Sequence, residues 1–167
     1  MAKKQKTLDD LFQDTLKDIY YAENKILKAL PKMAKAAQSD ELKAAFEKHL
    51  KQTERQVSRL EKVFKLIGQA PRGKKCAAIE GIIEEGSEIM TEFKGAPALD
   101  AGLVSSGQAV EHYEIARYGT LKRWAEMMGL DQAVSLLDET LNEEKDTDAT
   151  LTELADSMIN EMAEAAE

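Results

Sequence analysis

The 167-residue chain has one cysteine, three prolines, one tryptophan and 5% aromatic residues. A single cysteine excludes an internal disulfide framework and any Cys-based zinc or iron–sulfur site. No segment approaches the roughly 18 consecutive apolar residues of a membrane span. The basic start, MAKKQK, runs into TLDDLFQDTLKD, where acidic and apolar residues alternate, so it does not read as a signal peptide. Positive charge is in short supply: Lys+Arg 23 against Asp+Glu 31 gives a net charge of −8. That balance offers no electrostatic footprint for nucleic acid or an anionic membrane surface. What remains is 43% hydrophobic, enough for a core. The length suits one domain over residues 1–167, with a core from about 7 to 160. The expected setting is cytoplasmic.

The nine glycines and three prolines sit mostly at points of punctuation. Thr7 and Asp10 form a capping-box pattern ahead of Leu8, Phe12, Leu16, Ile19, Glu23, Ile26 and Leu30 at helical spacing. This first helix is expected to kink at Pro31 and continue to about Ala37. Ser39 and Asp40 cap a second helix, with Leu42, Phe46, His49, Leu50, Thr53, Val57, Leu60 and Phe64 on its stripe. Gly68 and Pro71 end it. A shorter helix is expected from about Lys74 to Glu92; Gly81 and Gly86 within it cost roughly 1 kcal/mol each unless close packing requires them. A fourth helix follows Pro97 and runs to about Met128. A fifth, capped by Asp131 after Gly129, turns Leu137, Leu141, Glu144, Asp148, Leu151, Ala155 and Met158 inward. The tail EMAEAAE is expected to fray. No segment carries a strand period. Four helices of about 30 residues, each about 45 Å long, make two hairpins joined by a helical connector. That predicts an all-α, ferritin-like four-helix bundle with a long crossover, five helices in all.

Acidic residues matter where they fall on apolar stripes. Glu23 lies among Ile19, Ile26 and Leu27, while Glu144 lies between Leu141 and Leu151 with Asp148 one turn on. Glu111 and Glu114, three apart, share a side of the fourth helix, and Glu54 borders Leu50 and Val57. Glu23 and Glu54 each sit about 23 Å from the first hairpin turn, and Glu114 and Glu144 are matched about the second. A buried cluster of this kind cannot stay ionised without a partner. Two divalent cations held by hard oxygen ligands, Fe or Mn, would resolve it. Set against this, a lone Glu on such a stripe often snorkels to water, and His49 alone reads first as a hydrogen-bonded core histidine, with a metal ligand or a group behind one as the alternative. His112 falls on a flank; Glu80 and Glu84 read as solvated or interface residues. Cys76 reads as a small buried hydrophobe, and the four tyrosines as core or rim packing.

The stretches YYAENKILKALPKMAKAA, FEKHLKQTERQVSRLE, CAAIEGIIEEGSEIM, QAVEHYEIARYGTL and LLDETLNEEKDTDATLTELA resemble the YciF-type family of bacterial stress-induced ferritin-like proteins. The resemblance runs from about Thr7 to Ala155. It implies a homodimer related to the di-iron domain of rubrerythrin. Glu23 then matches the first-helix ligand, Glu111 with Glu114 the paired Glu-x-x-Glu of the third bundle helix, and Glu144 the Glu of the last. Asp148 stands where a His is usual. The second helix departs from the pattern, leaving Glu54 or His49 as its ligand. The implied function is a stress-response protein with a di-iron or di-manganese centre using peroxide or dioxygen, and its enzymatic status is open. The alternative is a metal-free structural or interaction protein on the same scaffold. Iron storage and DNA protection are weaker readings, the latter disfavoured by the charge.

Overall fold

The computed structural model describes residues 5–165, apart from the side chain of Met158. The expectations for the first four residues, for the last two of the tail and for an inward Met158 fall outside that description. Four long helices and one shorter, α3, appear in order: α1 (Leu8–Ala36), α2 (Asp40–Leu66), α3 (Ala77–Glu92), α4 (Leu99–Met127) and α5 (Asp131–Leu154). A π-helical stretch (Ala155–Ile159) then passes into a short α6 (Asn160–Glu164).

The local signals act as expected at the first two starts. The Thr7 side chain accepts from the Asp10 amide and the Asp10 carboxylate accepts from the Thr7 amide, completing the box. Ser39 accepts from the Leu42 amide. α1 runs through Pro31, which is exposed, so the carbonyl deprived of its donor can face water.

Two starts differ from the sequence reading. α3 begins at Ala77 rather than near Lys74, because residues 69–76 run irregularly and the Lys74 amide bonds the Lys17 carbonyl of α1 at 3.0 Å. Cys76 caps it: the buried Sγ accepts from the Ile79 amide at 3.4 Å and lies 3.0 Å from the Tyr113 hydroxyl. α5 is capped at Leu130, with Asp131 already inside the first turn and no side-chain cap. Of the two helical glycines in α3, Gly86 is buried where an added Cβ would meet Ser106 of α4 at 3.4 Å, while one at Gly81 would meet open space.

Asp100, in the first turn of α4, fixes how the hairpins meet. Its carboxylate accepts from the amides of Gln38 and Ser39, at 2.8 and 2.7 Å, in the α1–α2 turn. α4 therefore starts beside that turn and runs parallel to α2, and α3 is the crossover that returns the chain along the bundle. Each long helix is antiparallel to both of its packed neighbours, α1 to α2 and α4, α5 to α2 and α4. The core forms an apolar layer at each end. Phe12, Leu16, Leu60, Phe64, Leu121 and Leu137 fill one; Ile26, Leu42, Phe46, Leu103 and Leu151 fill the other. Between them lies a polar layer.

Candidate metal centre

The polar layer takes one or two side chains from each long helix. Glu23 (α1), His49 (α2), Glu111 and Glu114 (α4) and Glu144 (α5) are all at most 2% exposed. His49, Glu111, Glu114 and Glu144 each offer one ligand atom, and these atoms all lie within 4.8 Å of one another. His49 Nδ1 is 3.3 Å from Glu111 Oε1, and Nε2 is 3.9 Å from Glu144 Oε2. Neither ring nitrogen completes a hydrogen bond. Glu23 lies beside this group and feels the Glu144 charge: Oε1 accepts from the buried Tyr118 hydroxyl, and Oε2 has no partner.

Ten buried side-chain polar atoms lack a hydrogen-bond partner among the described residues. Eight belong to Glu23, His49, Glu111, Glu114 and Glu144; the other two are Oε1 of Gln52 and Gln56 in the next turns of α2. Buried polar atoms are paired in the great majority of cases, and each orphan costs ~1–3 kcal/mol. A His/Glu group with this many unpaired buried atoms could hold a metal ion.

The electrostatics agree. Burial, then the Glu144 charge, raises the Glu23 carboxyl to about 8. Burial raises Glu144 to about 7. Glu111 and Glu114 are pushed well above the usual carboxylate range by burial and by neighbouring carboxylates, Glu144 first. Burial lowers His49 to about 4, so the imidazole is neutral. A neutral imidazole and carboxylates awaiting a counter-charge are a competent donor set for a divalent cation.

Two expected candidates lie elsewhere. Glu54 is exposed and outside the cluster. It matches Glu23 in depth but stands five residues from His49, about 140° around the helix. Asp148 is half-buried at the rim, accepting from Gln108 Nε2 and His112 Nε2, each at 3.1 Å. His112 is exposed, on the flank as expected. Glu80 is neither free nor part of the centre: it accepts from Tyr21 and pairs with Lys25 and Lys75 at 3.3 and 2.9 Å, pinning α3 to α1.

Tyr118 packs in the core as expected, but its hydrogen bond to Glu23 and the neighbouring charged network were not foreseen from the sequence. Tyr118 lies four residues after Glu114, hence on the same face, and that spacing was the available signal. Beside the centre, Arg59 donates to both oxygens of Glu143, at 2.7 and 3.0 Å, to Glu139 and to Thr140 Oγ1 at 3.3 Å. Gln56 Nε2 donates to Glu143 Oε2 at 3.1 Å.

A crossover bundle whose long helices all feed one buried His/Glu cluster defines a carboxylate-rich protein of the ferritin-like kind. The chain belongs to the family described as Domain of unknown function (DUF892), whose profile matches residues 7–164. It is 42% identical over 160 residues to Protein YciF of Escherichia coli K12, covering 95% of this chain and 96% of that one. The crystal structure of that stress protein superposes with a TM-score of 0.89, covering 93% of this chain and 99% of the other. YcfI of Rhodopseudomonas palustris, 47% identical, superposes with a TM-score of 0.87 over 91% of this chain and 97% of its own. A Xanthomonas campestris protein, 21% identical with a TM-score of 0.73, shares the fold over 95% of this chain and 97% of its own. No helix among the described residues is long and apolar enough to cross a membrane.

Proposed function

We propose that this is a bacterial stress-response protein holding two Fe or Mn ions in the polar layer, with peroxide or dioxygen as the small oxidant. The observation that carries the reading is the eight orphaned donor and acceptor atoms on Glu23, His49, Glu111, Glu114 and Glu144. Glu23, His49, Glu111, Glu114 and Glu144 would hold the ions through these unpartnered atoms. The ions would supply reversible electron transfer to the oxidant. The chain's own part is to deprotonate and orient its carboxylates, keep His49 neutral and hold the layer dry between the two apolar ends. Tyr118 positions Glu23 through its hydroxyl. The same reading includes a cytoplasmic homodimer, as the resemblance to the YciF-type family implies, and no nucleic-acid partner, supported by the net charge of −8.

Elemental analysis of protein purified without chelator, wild type beside Glu144→Ala, tests this. Near two equivalents of Fe or Mn in the wild type, lost in the variant, is the expected result; full occupancy in Glu144→Ala sinks the assignment. A second reading, a metal-free structural scaffold, draws on Gln52 and Gln56, neutral amides where a further acid would be useful to a metal pair. The structural role proposed for the R. palustris relative points the same way. An absence of metal after anaerobic reconstitution would favour it.

A further inference from the structure

A cleft of about 230 Å³ opens between α1, α3 and α4 and reaches the polar layer at Glu111. Its walls are Ile26, Met33, Phe46, Ile83, Met90 and Val110, thinned by Gly86 and Gly107. Two serines line it, but neither hydroxyl demands a polar guest. Ser87 Oγ donates to the Ile83 carbonyl at 2.9 Å and Ser106 Oγ to the Gly102 carbonyl at 3.0 Å. Apart from Glu111 at the inner end, the walls are therefore apolar.

The rim is not. Lys25, Lys28 and Lys32 follow one another at spacings of three and four along α1, forming a single row at the mouth. Lys25 is held by Glu80 and by the Tyr21 ring. Lys28 and Lys32 are exposed and have no ion-pair partner among the described residues. In a chain with a net charge of −8, two unpaired lysines over an apolar slot are a local reversal of sign. The inner end is closed by the buried Glu111, a member of the polar layer.

From this arrangement we propose that the cleft binds a single-chain aliphatic carboxylate, head at Lys28 and Lys32, tail inward toward Glu111. At the roughly 30 Å³ that a water-sized group fills, the volume suits a tail of about eight such groups. Chain length is thus limited by the cleft, and direction is set by the two lysines at its mouth. The proposal does not depend on a metal being present, and it is tested on protein purified without added metal, so its failure leaves the metal reading untouched.

Calorimetric titration with hexanoate, octanoate, decanoate and dodecanoate, each below its micelle concentration, is the experiment. Affinity should rise about fourfold per added methylene while the tail is being buried, then level off near eight to ten carbons. Lys28→Glu with Lys32→Glu, on an exposed face where folding is not at risk, should weaken octanoate roughly tenfold and leave 1-octanol unchanged. Ala29→Phe, which fills the slot, should abolish both. Affinity that keeps climbing through dodecanoate overturns the proposal as unspecific adsorption. So does octanoate binding insensitive to the lysine reversal, or capture by anionic vesicles without any binding of free octanoate.

Discussion

Glu143 and Glu144 are consecutive residues of α5 with opposite fates. Burial raises the Glu143 carboxyl, but Arg59 grips both of its oxygens, Gln56 and Arg55 add to the grip, and the net shift is downward. Glu144, one position on and about 100° round the helix, has two oxygens without a partner and is raised to about 7. The chain evidently carries the means to pair a buried carboxylate, and applies it to one of these two. An acid's role here is set by what faces it, not by its burial or its helix.

The largest break in that comparison should come from pH and metal together. The raised folded-state values of Glu23, about 8, and Glu144, about 7, mean that the metal-free native state binds more protons than the unfolded chain above pH 4.5. Stability should therefore be greatest below that pH range and fall as pH climbs toward 8. His49, lowered to about 4, works the other way between about 4 and 6.5, but it is one group against several carboxylates. Metal ligation requires the deprotonated carboxylates, so metal should reverse the trend. Thermal melts of chelator-treated and Mn-loaded protein across pH 5–8 check this; parallel curves would count against the cluster as a ligand set.

Arg59→Ala should be next. It leaves Glu143 without its principal partner, at a cost of about 2–3 kcal/mol, below the full buried-pair penalty because Glu143 keeps 19% side-chain exposure. The melting temperature should fall by roughly 5–10 °C. Glu144→Gln should show the contrary sign: at pH 8 the metal-free protein should gain about 1–2 kcal/mol by losing a charge that has no partner, while metal uptake fails. If both variants destabilise alike, the two glutamates are not the different species described here. The smallest effect is expected from Tyr118→Phe, which removes one hydrogen bond to Glu23 for about 1 kcal/mol. It should also move the Glu23 titration, followed by carboxyl infrared absorption, further upward, because that hydroxyl favours the ionised form.

The helix order and the first two caps were legible in the sequence because they are local: Thr7 with Asp10, and Ser39 with Leu42, lie three residues apart. The inward acids were legible through the helical period. Glu54 misled because depth along a helix and direction around it are separate coordinates; it matched the first and not the second. Leu50 and Val57, which seemed to frame it, are only half-buried, and the true inward line passes through His49, Thr53, Gln56 and Leu60. Asp148 fell on a stripe that has already rotated toward the rim one turn past Glu144. Asp100 and Arg59 had no sequence signature at all, since their partners lie 61–62 and 80–84 residues away.

The Asp100 clamp bears on the order of assembly. Each hairpin is built from neighbours in sequence and closes short loops, which is the rapid kind of contact to form. The clamp joins residues about sixty apart, and α3 must already span the bundle for Asp100 to reach the first turn. Docking of the hairpins is therefore the late step. Glu23 and His49 arrive on one hairpin and Glu111, Glu114 and Glu144 on the other, so until that step the acids remain hydrated on separate surfaces. The cost of dehydrating them falls on the last event of folding, where it slows closure and where any bound cation would speed it.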